Sequence, residues 1–192
     1  RGPAFEGADV PDNTFQDGKV AEFAVTRLQE LSQSTTPFFL AVGFIRPHLP
    51  FVSPKKYWDL YDPKKIQLAP NKFRPHDAPS YAILPGGEMR SYHGIPNESI
   101  PDDLARQLKH GYFASVSYLD AQVGKLLDEH RITFLSSVPA VWKVALKLSK
   151  PPQAGTLQRV HVGSAPLSAA IWEDIRRWTG TRQVCNAYGI TE

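Results

Sequence analysis

An α/β fold is predicted for this 192-residue chain by three observations. Phe38–Val42 is an unbroken apolar run of strand length, closed by Gly43, and it reads as a strand buried on both faces. Two long segments, Asp17–Gln33 and Asp102 to about Glu129, carry apolar side chains at helical spacing. From Ile132 to Ala187, short apolar runs alternate with helical patterns in the order strand, helix, strand, helix, strand. That order implies parallel strands with right-handed crossovers.

Composition bounds the function classes. With 42% hydrophobic and 21% charged residues, the chain has the make-up of a globular protein with a real core. A net charge of +3 is too small to argue for nucleic acid or a membrane surface as partner. The lysines at 55, 56, 64 and 65 are local and read as a solvated loop face. One cysteine excludes an internal disulfide framework and leaves the compartment open. No run is long enough to span a bilayer. There is no initiator Met and no signal peptide at Arg1, so a fragment or processed product is expected. Localisation and oligomeric state stay unknown from the sequence.

Taken in order, residues 1–13 are polar and turn-rich and read as an extended lead-in. In Asp17–Gln33, Val20, Phe23, Ala24, Leu28 and Leu31 fall on one face, expected to cover the Phe38–Val42 strand, with Asp17 as an early acid or cap. His48 follows between Pro47 and Pro50, expected just past the C-terminal end of that strand, where open α/β sheets place ligands. Spacing alone suggests only a histidine hydrogen-bonded in a rigid loop. Pro50–Pro101 has little periodicity and reads as a long irregular segment. Its aromatics Tyr57, Trp58, Tyr61, Tyr81 and Tyr92, with His93, are each singly explained as pinning the loop. Asp102 and Asp103 suit a helix start, and Leu104, Leu108, Tyr112, Val116, Leu119, Val123 and Leu126 form a continuous stripe. Downstream, strands are expected at Ile132–Leu135, Leu157–Val162 and Gln183–Ala187, and helices at Val138–Leu148 and Ser168–Trp178.

Several phrases carry family resemblance. Phe39-Leu-Ala-Val-Gly-Phe-Ile-Arg-Pro-His48-Leu-Pro-Phe51 resembles a signature of the sulfatase family, in its iduronate-2-sulfatase-like branch. The resemblance continues through Pro54–Tyr57, Leu60-Tyr61 and Ile66–Pro70, and resumes at Tyr112–Asp120. It implies that His48 lines the active site and contacts sulfate, and that an insertion such as Pro50–Pro101 helps shape a substrate pocket, which Tyr57, Trp58, Tyr61, Tyr81, Tyr92 and His93 could line. It also implies an alkaline-phosphatase-like α/β fold, with calcium and a formylglycine nucleophile in the intact family.

A second resemblance covers about residues 131–192. Phe134–Pro139, Gly163-Ser164-Ala165-Pro166-Leu167-Ser168 and Tyr188-Gly189-Ile190-Thr191-Glu192 are similar to motifs of the adenylate-forming (AMP-binding) superfamily, which includes acyl-CoA synthetases. The resemblance implies that Gly163, Ser164, Ala165 and Pro166 border the nucleotide and acyl pockets. Tyr188 and Gly189 would lie at adenine, Thr191 would contact phosphate, and Glu192 would help hold magnesium. A strand-to-helix turn does offer N–H groups to an anion, and magnesium prefers a carboxylate with phosphate oxygens.

The expected organisation is therefore a partial sulfatase-like domain at 1–128 and a partial adenylate-forming domain, a small parallel βαβαβ piece, at 129–192. The join falls between Gly124 and Arg131. The formylglycine chemistry needs Cys/Ser-x-Pro/Ala-x-Arg, and no such motif is present. Cys185-Asn-Ala-Tyr-Gly189 and Ser164-Ala-Pro-Leu-Ser168 both fail at the arginine. The phosphate loop and the catalytic lysine of the second family are not found either. The expectation is a chimeric or truncated chain, derived mainly from a sulfuric-ester hydrolase and catalytically inactive, with a partial nucleotide-binding module as the alternative. No tightly bound cofactor is expected. The ligands implied are a sulfated small molecule or glycan, or ATP–magnesium and an acyl substrate. His76, His93, His110, His130 and His161 lack metal-ligand spacing and are expected in structural or surface roles.

Overall fold

The computed structural model describes residues 2–71, 73, 76–82, 87–130, 133–148, 151, 157–163 and 166–187. Its elements are β1 (Phe5–Ala8), α1 (Gln16–Ser32), β2 (Phe51–Pro54), α2 (Lys55–Trp58), α3 (Asp102–His130), β3 (Phe134–Ser137), α4 (Pro139–Leu148), β4 (Arg159–Gly163), α5 (Ala169–Thr179) and β5 (Gln183–Ala187). The fold is mixed α/β with parallel sheets. The chain divides into two compact units, residues 1–15 with 45–118 and residues 16–44 with 119–192.

In the first unit the lead-in is not merely extended. β1 pairs in parallel with β2, with Phe5 opposite Phe51 and Ala8 opposite Pro54. Proline at the end of a two-stranded ladder lies on an edge, where its lost donor is tolerated. Asp12 ties the segment down: its carboxylate meets Lys56 Nζ at 2.7 Å and accepts from the Tyr57 hydroxyl at 2.9 Å, while its carbonyl accepts from the Tyr118 hydroxyl at 2.8 Å. Trp58 is wedged among β1, β2 and α3. A Cβ placed on Gly7 or on Gly111 would come within 2.9 Å of its indole. His110 Nε2 lies 2.8 Å from the Trp58 carbonyl, and the two rings meet edge-on at 4.8 Å. Tyr61 continues the cluster onto Phe113 and reaches Ser117 Oγ at 2.5 Å. A small core of Ala4, Tyr92, Ile95 and Leu108 lies alongside, with Leu49 and Phe51 packed against it.

The second unit holds α1, the following extended segment and the three-stranded sheet. α1 buries Asp17, Gly18, Ala21, Ala24 and Leu28. The expected face is thus corrected at Phe23, which is 68% exposed. The buried stripe runs through the smaller residues on its other side, where close approach is possible. Phe38–Val42 forms no strand. Leu40, Val42 and Phe44 pack against the Ala24, Leu28 and Leu126 core, while the residues between them face outward and Phe39 is 85% exposed. The run is a one-faced extended segment, not a strand buried on both faces. A continuous apolar run can follow either pattern, and a ladder forms only where a neighbouring backbone supplies donors and acceptors.

The strand–helix alternation after residue 132 is realised as β3–α4–β4–α5–β5, all strands parallel in spatial order β3-β4-β5. Trp142, Ala145, Val160, Val162, Ile175 and Val184 make its core. α5 is delimited at both ends. Ser168 Oγ accepts from Ile171 N–H at 3.3 Å, and Gly180, at φ +72°, donates to the Arg176 carbonyl at 2.9 Å. Trp142 and Trp178 meet edge-on at 5.8 Å, and the Trp172 indole N–H donates to the Val184 carbonyl.

Candidate functional site

His48 lies in the first unit, in the turn that leads into β2. The expected position past the C-terminal end of a central strand is therefore corrected: His48 precedes a short strand instead, because 38–42 forms no ladder. The turn is held by Arg46, whose Nε donates to the Val52 carbonyl at 2.9 Å, and by His48 N–H to the Ile45 carbonyl at 3.0 Å. The side chain is 63% exposed. Its Nδ1 is 2.9 Å from the Leu49 carbonyl, and its Nε2 is 3.4 Å from a carboxylate oxygen of Glu88. The other Glu88 oxygen accepts from the Tyr92 hydroxyl at 3.2 Å, and Tyr92 belongs to the neighbouring core. Leu49 O and the carboxylate can only accept, so the imidazolium is the form that donates to both at once.

Glu88 was not legible in the sequence. It sits forty residues from His48 in a stretch without periodicity, at the start of a single 3-10 turn spanning Glu88–Ser91. Its consequence for chemistry is direct. An oxyanion approaching Nε2 meets a carboxylate already there, so anion binding at His48 works against Coulomb repulsion.

In the second unit three parallel strands end side by side. Ser137, Gly163 and Ala187 end their parallel strands, with Ser137 opposite Val162 and Gly163 opposite Ala187. Gly163 closes β4, and Pro166 is exposed shortly before the Ser168 cap of α5. β4 thus ends at Gly163 and α5 begins after Ser168, and C-terminal strand edges are where open α/β sheets bind ligands. Ser164, Ala165, Tyr188, Gly189, Thr191 and Glu192 lie outside the described residues.

The remaining candidates have local explanations. Tyr57, Trp58, Tyr61 and Tyr92 make the packing and hydrogen-bond contacts described above. Tyr81 is 84% exposed, and the His93 N–H donates to the Gly2 carbonyl at 3.1 Å. His161 Nδ1 is 2.8 Å from Ser136 Oγ, and His76 pairs with Asp77 at the surface. Burial pushes the Tyr112 phenol above its ordinary value near 10. Among the described residues no group of three or more His, Cys, Asp or Glu side chains stands together to hold a metal, and no helix is long and apolar enough to cross a membrane.

Comparison with known proteins places two kinds of likeness on this frame. Iduronate 2-sulfatase of Mus musculus is 41% identical over 128 residues, covering 63% of this chain and 23% of that protein. The Homo sapiens protein of that name is 41% identical over 127 residues, 62% of this chain and 23% of its own length. Choline-sulfatase of Rhizobium meliloti is 31% identical over 137 residues, 64% of this chain and 25% of that protein. The chain thus spans 23% to 25% of the length of these relatives. The family model for AMP-binding enzymes matches residues 108–192. That match begins within α3, upstream of the join expected between Gly124 and Arg131. The chain is similar to sulfatases over about 63% of its length and to AMP-binding enzymes from residue 108 onward.

Proposed function

We propose that the chain is a composite derived mainly from a sulfuric-ester hydrolase, in which residues 1–128 are an incomplete alkaline-phosphatase-like domain and residues 129–192 an incomplete AMP-binding domain. On this reading it binds sulfate or a sulfate ester weakly at His48 and does not turn it over. The observation that carries the reading is the Arg46-Pro-His-Leu-Pro-Phe51 turn, in a chain of which 63% is matched at 41% identity by iduronate 2-sulfatase. His48 supplies a proton donor to sulfate but neither nucleophile nor electrophile. The 192 residues contain no Cys/Ser-x-Pro/Ala-x-Arg from which a formylglycine could be made, and calcium would need ligands beyond His48.

The test is an NMR titration of the full chain with sodium sulfate against sodium chloride, read at the backbone amides of residues 45, 48, 49 and 51, which the His48→Ala variant keeps. A saturable shift is expected at millimolar sulfate and is lost in His48→Ala. Glu88→Gln removes the competing carboxylate and is expected to tighten binding severalfold. No sulfate-specific shift at these amides would end the binding claim. Hydrolysis of 4-nitrophenyl sulfate that disappears in His48→Ala would overturn the claim of inactivity.

A second reading is supported by the strand ends gathered at Ser137, Gly163 and Ala187. It makes residues 129–192 a weak nucleotide-binding module, with Gly163, Ser164, Ala165, Pro166, Tyr188, Gly189 and Thr191 toward ATP and Glu192 toward magnesium. Equilibrium dialysis at millimolar ATP–magnesium checks it. Binding weakened by Glu192→Ala supports it, and no binding at all refutes it.

A further inference from the structure

A groove of about 570 Å³ opens between α4 and α5, apart from both sites discussed above. Its floor is Leu146, Ile171 and Trp178, which pack against the core of the three-stranded sheet from its rim and stay partly exposed. Its borders are charged: Lys143 and Lys147 from α4, Asp174 and Arg177 from α5. Arg177 is engaged by Asp174 at 3.4 Å. Lys143 and Lys147 are exposed and have no hydrogen-bond or ion-pair partner among the described residues.

The lysine pair is not explained by the helix. At i and i+4 the two ammonium groups share a face and repel. The helix dipole favours Lys147 in the last turn but does not favour Lys143 one turn earlier. An anion placed between them removes the repulsion. The floor beneath is apolar, and water there is displaced at a gain by an alkyl or aromatic body. The volume lies within the range of small-molecule sites, roughly 300–1,000 Å³.

We infer that the α4–α5 groove binds a free anionic amphiphile, its head group held by Lys143 and Lys147 and its apolar body lying on Leu146, Ile171 and Trp178. The inference does not depend on either reading of the previous subsection, because none of their residues lines the groove.

The experiment titrates the full chain with monomeric decanoate and, separately, with decyltrimethylammonium, reading the Trp178 indole N–H by NMR. Saturable decanoate binding is expected, at least fivefold tighter than that of the cation. Lys143→Glu with Lys147→Glu is expected to weaken decanoate at least tenfold and leave the circular dichroism unchanged. Ile171→Ser is expected to weaken both amphiphiles. Equal affinity for the two head charges, or an unchanged affinity in the double lysine variant, would overturn the proposal. So would binding to anionic phosphatidylglycerol vesicles without binding of monomeric decanoate, which would make the face a membrane contact instead.

Discussion

Gly111→Ala sets two ordinary expectations against each other. In a helix interior, alanine is favoured over glycine by about 1 kcal/mol, because glycine loses more backbone freedom on folding. At Gly111 the new Cβ would stand 2.9 Å from Trp58 Cη2, 3.0 Å from Phe51 Cβ and 3.1 Å from Phe5 Cβ. The last two are first side-chain atoms and cannot turn away without moving β1 and β2. Overpacking of that kind costs typically about 1–3 kcal/mol. Gly124 lies on the same helix with nothing within 4 Å of its Cβ position, so Gly124→Ala keeps the propensity gain alone. The expected outcome is a loss of roughly 1 kcal/mol for Gly111→Ala and a gain of up to about 1 kcal/mol for Gly124→Ala. Urea unfolding followed by circular dichroism measures both. Hydrogen exchange on peptides 104–118 and 119–130 assigns each effect to its part of α3. A Gly111→Ala variant as stable as its parent, or more stable, would refute the packing argument around Trp58.

Two further outcomes follow from local chemistry. Ser168→Ala removes the acceptor for the Ile171 N–H, and a loss of about 1 kcal/mol is expected, read as faster exchange in peptide 169–179. No change in protection there would show that the cap is not formed. Tyr112 titrates above its ordinary value because burial disfavours its phenolate. The neutral form is thus the one the fold prefers. Its stabilising contribution is complete below about pH 10 and is lost as pH rises through the folded-state value. Phenolate absorbance is expected to show a late-titrating component that is diminished in Tyr112→Phe, and an unchanged titration curve would contradict the assignment.

The two long helices were legible to within a residue or two, and so was the β3–α4–β4–α5–β5 order, because each rests on a repeat that a few consecutive side chains complete. Phe23 shows where periodicity stops. It stands next to Ala24 in sequence but about 100° round the helix from it, and the buried stripe of Asp17, Gly18, Ala21, Ala24 and Leu28 leaves it in solvent. At the candidate site His48 was legible through the wording of its turn, whereas Glu88 carried no signal.

The sequence by itself determined which segments become the four longer helices, α1, α3, α4 and α5, and the parallel character of the β3–β5 sheet. These follow from spacing along the chain and from the handedness of short crossovers. Only the tertiary structure decided that β1 pairs with β2, that 38–44 lies one-faced on α1 instead of entering a sheet, and that a carboxylate sits at His48 Nε2. Each of these depends on which distant backbone or side chain arrives as a partner, and the chain's local pattern does not encode the identity of that partner.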